Sequence, residues 1–223
     1  MKLFYKFLPA VLILLICSSS AYSADAPWKK IGESKGIIGY TRPTPLSSVE
    51  QVKATGTIDE PIAVVEAVVR DVPAQVNYMY LCKESEFIEL PGKQNSADIY
   101  YLYNLTDMPG FISDRDCIAR SDWKIDKETG IIYSHSEGVK SDYKLKKGTV
   151  RMPLVITDYT LVPKGPSKTE ITYEALANPG GSLPSWLVNM LTKDIGIKTV
   201  AGIRKLSATA KYKNAKIITT TPK

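Results

Sequence analysis

The sequence predicts an α+β fold in which a run of antiparallel strands ends on one long C-terminal helix. Three observations carry this. Pro184–Leu206 is the one long stretch beyond the N-terminus with helical periodicity. Strand-like segments separated by turn signals fill nearly everything from Cys82 to Leu176. Several of those segments, Val150–Leu161 among them, are apolar on both faces, whereas antiparallel sheets usually keep one face wet.

Residues 1–24 read as a signal peptide. Lys2 and Lys6 precede the apolar core Phe7–Cys17, and the small-residue stretch SSSAYSADA follows. The core is well short of the roughly 20 residues needed to span a bilayer as a helix. Cleavage after Ala21, Ser23, Ala24 or Ala26 fits the small-residue rule. A lipoprotein beginning at Cys17 is disfavoured because Ile16 is large. The remainder fits one domain over residues 27–210 followed by a basic tail, 211–223.

Trp28–Ser34 reads as a short opening helix stopped at Gly36, and Ile37–Thr41 as a strand ended by Pro43 and Pro45. Val49–Ile58 alternates loosely. Asp59-Glu60-Pro61 is a helix start for Ile62–Arg70, and Asp71-Val72-Pro73 breaks that helix before a second through Ala74–Tyr80. Strands follow at Cys82–Leu90, Ile99–Leu105, Arg115–Trp123, Ile131–Ser136, Val150–Leu161 with an interruption at Pro153, and Glu170–Leu176. Pro91-Gly92 and Glu128-Thr129-Gly130 mark turns between them.

In the final helix, Trp186, Met190, Ile197 and Ala201 lie along one direction and Leu187, Leu191 and Ile195 along a neighbouring one. Gly196 and Gly202 each cost about 1 kcal/mol of helix propensity relative to Ala, so they signal either close packing or room for something bound beneath. A single helix covers one sheet face only. Either the sheet curls around its own core or it curls around an enclosed cavity. The 13 tyrosines favour the cavity, since a phenol offers an apolar ring and a polar tip.

The chain carries +6, of which Lys2 and Lys6 supply two, leaving about +4 without the leader. The bases are dispersed apart from Lys144, Lys146 and Lys147 and the tail, which fits a solvated face or weak attraction to anionic lipid and gives nucleic-acid binding no support. Cys82 and Cys117 are either a disulfide of an exported chain or two small buried side chains. His135 is the single histidine, no Gly-x-Ser-x-Gly elbow or phosphate loop occurs, and two cysteines without paired spacing build no metal site. Asp114 and Asp116 share a strand face while Arg115 faces away, an arrangement unlike a catalytic carboxylate pair. No metal, cofactor or catalytic residue is expected.

Five stretches in order, Gly36–Pro43, Val69–Val72, Ser113–Asp116, Lys147–Arg151 and Leu183–Asn189, make the sequence resemble the START lipid-transfer domain of the helix-grip superfamily, as an exported bacterial member. The resemblance implies a curved antiparallel sheet wrapped around the long C-terminal helix, with an internal hydrophobic cavity for one molecule. Three departures stand out. The family's Trp-Asp pair matches Tyr78-Met79, its intratunnel acid and base match Leu102 and Ser121, and its Phe after Arg-Asp matches Cys117. The cavity therefore holds little charge, which favours a sterol, hopanoid-like lipid or fatty ligand held mainly by shape over a zwitterionic phospholipid.

Ligand contacts are expected from Tyr78, Tyr100, Leu102, Asn104, Cys117, Ala119, Trp186 and Met190, with Arg115 and Arg151 as structural cations nearby. A lid is expected over Asp107–Ile112, where Met108, Phe111 and Ile112 are too apolar for an ordinary exposed loop. The expected protein is a monomeric periplasmic or secreted carrier that touches membranes transiently. A polyketide cyclase or aromatase and a non-transporting structural protein are the alternatives.

Overall fold

Backbone hydrogen bonding turns the alternating segments into a ten-stranded sheet, seen in a computed structural model that describes residues 26–220. The predicted signal peptide lies outside the described residues. The strands are β1 (Lys29–Ser34), β2 (Ile37–Arg42), β3 (Gln51–Ile58), β4 (Cys82–Ile88), β5 (Ile99–Thr106), β6 (Asp114–Ile125), β7 (Ile132–Gly138), β8 (Thr149–Arg151), β9 (Leu154–Pro163) and β10 (Thr169–Asn178). Helices α1 (Ile62–Arg70) and α2 (Gln75–Tyr78) fall between β3 and β4, and α3 (Ser185–Ser207) follows β10. The sheet order is β1-β2-β3-β10-β9-β7-β6-β5-β4; all these neighbours are antiparallel, and β8 alone pairs in parallel, with β6.

Lys29–Ser34, expected as a helix, is a strand. Lys35 and Gly36 both take positive φ, 49° and 72°, and close a two-residue hairpin that pairs Ser34 with Ile37. Such a turn matches the twist of its flanking strands, and the ladder it seeds outweighs a helix too short to nucleate alone. Pro153 splits the expected Val150–Leu161 strand into β8 and β9, because proline has no N–H to give a central ladder.

The sheet does not wrap around α3, which corrects the expected curved, gripping sheet. Its order is an open path with β1 and β4 as separate edges, and α3 lies on one face, against β1, β2, β3, β10, α1 and α2. The second apolar face is covered by something the sequence did not advertise, the connection between β7 and β8. Val139 and Tyr143 there pack on Tyr101, Tyr103, Leu105 and Ile118, a satellite core of the kind found under long loops. Arg151 pins that connection by donating to Ser141 O at 2.6 Å and Tyr143 O at 2.8 Å while it grips the buried Asp116 carboxylate at 2.7 and 3.1 Å.

The glycines of α3 serve close approach. A Cβ on Gly196 would sit 3.1 Å from Ala54 Cβ, and one on Gly202 only 2.5 Å from the backbone oxygen of Tyr78. Past α3 the chain returns over α1. Buried Glu66 accepts from Arg70 Nε, Ile218 N and Thr219 N at 3.0, 2.9 and 2.7 Å, and Asp71 accepts from the Tyr212 hydroxyl at 2.7 Å. The C-terminal half of α3 is held directly: Thr199 Oγ1 accepts from Tyr80 N at 3.2 Å, and Arg204 donates to Lys35 O and Thr57 O at 2.8 and 2.9 Å.

Candidate functional site

Strand parity decides which side chains meet under α3. On β5 and β6 the inward residues include Leu102, Asn104, Arg115, Cys117 and Ala119; on β9 and β10 they include Thr157, Tyr159, Tyr173 and Ala175. Val52 of β3 and Gln75 and Met79 at α2 add side walls, and Leu191 and Ile195 of α3 form the roof. Alanines on three of the facing positions, 119, 175 and 177, leave space beneath the roof, and a cavity of about 160 Å³ remains. Close-packed interiors leave few spaces larger than a water molecule, so this pocket stands out from the core around it.

Of the residues expected to contact a ligand, Leu102, Asn104, Cys117 and Ala119 meet in this wall, and so does Met108 of the expected lid. Tyr78 and Tyr100 are buried behind it in the core, where the Tyr78 hydroxyl donates to Val69 O at 2.9 Å and the Tyr100 oxygen accepts from Trp123 Nε1 at 2.9 Å. Trp186 and Met190 lie off the wall, with Trp186 55% exposed. The reason is helix phase: fully buried Leu187 puts its own arc inward, with Leu191 and Ile195 on it, and turns the tryptophan outward. Phe111 is fully exposed and Ile112 half-buried. Arg115 is on the cavity wall itself, whereas Arg151 is on the opposite sheet face.

Sequence reading missed Val49, Val52, Met79, Met152, Tyr159 and Tyr173. For Tyr173 the usable signal was alternation in β10, where Ile171, Tyr173 and Ala175 share one face opposite Glu170, Thr172 and Glu174. Polar groups are few. Gln75 Oε1 accepts from Asn104 Nδ2 at 2.7 Å and from Ser85 Oγ at 2.9 Å, and the Tyr159 hydroxyl is buried without a partner among the described residues. Both cysteines are free, and burial pushes each thiol up to about 12. Neither supplies a thiolate near neutral pH, and apart from Arg115 and Glu50 the wall offers mainly apolar contact and a few hydrogen bonds.

Comparison with known proteins accords with this geometry. Residues 15–214 match the profile of the family described as START domain. An uncharacterised protein of Pseudomonas aeruginosa is 28% identical over 177 residues, 79% of this chain and 85% of that protein. Human START domain-containing protein 10 is 32% identical over 112 residues, which span 49% of this chain and 37% of the human protein. A STAR-related lipid transfer protein from Xanthomonas axonopodis superposes with a TM-score of 0.71 at 26% identity, covering 82% of this chain and 99% of that fragment.

Proposed function

Because this chain belongs to the START domain family, a fold able to bind a hydrophobic ligand, we propose that it is an exported periplasmic carrier that takes one lipid from a membrane, shields it and releases it elsewhere. The observation that carries the reading is the apolar cavity between the sheet and α3. Its ligand class is a sterol, a hopanoid-like lipid, a fatty acid or a phospholipid. The relative from Xanthomonas axonopodis is itself described as a lipid transfer protein.

The cavity, about 160 Å³, is smaller than the roughly 300–1,000 Å³ of pockets for drug-sized ligands. Loading therefore requires its rim to move outward. Three segments form that rim: the β2–β3 connection with Val49 and Glu50, the β5–β6 connection with Met108, and the β10–α3 connection with Pro179. Each bears or adjoins an exposed apolar side chain, Leu46, Phe111 and Trp186 respectively. Exposed apolar side chains beside a cavity mouth support contact with a bilayer when the rim opens. Burying about sixteen methylenes from water is worth roughly 13 kcal/mol, but a chain leaving a bilayer is already dry. Exchange with a membrane is then nearly neutral and its rate is set by opening.

The test is transfer of a fluorescent lipid between donor and acceptor vesicles. Catalytic amounts of protein should accelerate it in proportion to protein concentration; a rate equal to spontaneous transfer would refute carriage.

A further inference from the structure

The cation of the cavity wall is Arg115, 4% exposed. It belongs to an Asp-Arg-Asp triplet whose carboxylates are both engaged elsewhere. Asp114 receives Lys83 Nζ and Met108 N, at 3.0 and 3.1 Å, and Asp116 is held by Arg151. Strand alternation turns these two away from Arg115, and no carboxylate among the described residues forms an ion pair with it. The other charged wall residue, Glu50, accepts from the Thr41 hydroxyl at 2.5 Å.

What Arg115 does hold is backbone. Nε donates to Pro179 O at 3.3 Å, one terminal nitrogen to Ser113 O at 2.6 Å and the other to Gly180 O at 3.3 Å. A guanidinium carries five N–H groups, so one on each terminal nitrogen has no acceptor among the described residues. Two such donors on one guanidinium are the number that a carboxylate or phosphate takes up in a bidentate pair. Three carbonyls need donors only, and a neutral side chain could supply them. A permanent charge in an apolar wall is costly until an anion completes it.

Resting on the carrier reading above, we propose that the cavity selects an anionic amphiphile and holds it head-outward. The carboxylate or phosphate oxygens meet Arg115 at the rim, beside the β5–β6 and β10–α3 connections, and the chain runs inward past Leu102, Ala119 and Ile195. This replaces the expectation of a ligand held mainly by shape.

Two probes with one tail test it: cis-parinaric acid and its methyl ester, titrated by fluorescence at pH 8. The acid should bind the unmodified protein at least about tenfold more tightly, the least a charge-assisted hydrogen bond supplies. Arg115→Gln should erase that preference, read as the ratio of acid to ester affinity within the variant, with Arg115→Lys between them. Equal affinities in the unmodified protein, a comparison that needs no variant to fold, overturn the head-group assignment and leave the cavity reading intact. Failure of both probes to bind overturns both. Displacement of the acid by oleate or by lysophosphatidate then separates carboxylate from phosphate; displacement by neither overturns the assignment.

Discussion

Ala175→Leu separates a hollow interior from a filled one by the sign of its effect. Ala175 lies on β10 opposite Val52 and Thr157, half-buried and facing the cavity. Underfilled interior space lowers stability in mutant proteins, and the pocket of about 160 Å³ beside Ala175 leaves room for a larger side chain without displacing its neighbours. Leucine adds three carbons at about 0.8 kcal/mol each, giving a gain of up to about 2 kcal/mol. In a solid core the same change would cost about 1–3 kcal/mol through overpacking. By thermal denaturation the midpoint should therefore hold or rise, by up to about 8 °C for a domain of this length. Titration with cis-parinaric acid should show at least a tenfold loss of affinity in the same variant. A fall of several degrees, or unchanged affinity, would refute the reasoning.

Other consequences follow from named contacts. Gly202→Ala should destabilise by at least about 2 kcal/mol despite a better helix former, because its methyl would meet the Tyr78 backbone at 2.5 Å; Gly196→Ala, at 3.1 Å from a side-chain methyl, should be near neutral in the same urea titration. Phe111→Asp should slow vesicle transfer severalfold with a midpoint shift within about 0.5 kcal/mol, as expected for a fully exposed side chain. Burial raises the pKa of the Asp114 carboxyl, but the Met108 N–H and the Lys83 ammonium outweigh it and hold it below the ordinary value. A depressed folded pKa means the tether is intact above the unfolded value, about 3.9, and is lost as pH falls through the folded one. Stopped-flow transfer rates should be flat from about pH 7 to 5 and climb below about pH 4, and Asp114→Asn should be fast throughout.

Much of this architecture is legible in the chain. The Pro184 helix, the α1 segment after Asp59-Glu60-Pro61 and the aromatic strand at Ile99 emerge where periodicity places them, because local signals and tertiary burial agree there. The failures share a cause. Lys29–Ser34 pairs because of a positive-φ turn at Lys35-Gly36, which lacks the Asn or Asp that usually announces one. The inward arc of α3 was placed on Trp186, yet a two-direction apolar helix does not say which direction is drier; Leu187 settles it by contact. Cover for the outer sheet face comes from Val139 and Tyr143 in an irregular connection, held there by Arg151, and loops have no period to read. In the Asp-Arg-Asp triplet alternation did show Arg115 facing away from both acids, but only the partners of Asp114 and Asp116 reveal that it has no counter-ion among the described residues.

The central claim is that the space beneath α3 holds a lipid. Native mass spectrometry of the full chain purified from its own host, followed by solvent extraction, tests it most directly. The account predicts a one-to-one adduct that is released on extraction as a hydrophobic molecule with an acidic head group. Protein that emerges only at its bare mass, and gains none on incubation with vesicles of its host's lipids, would contradict it.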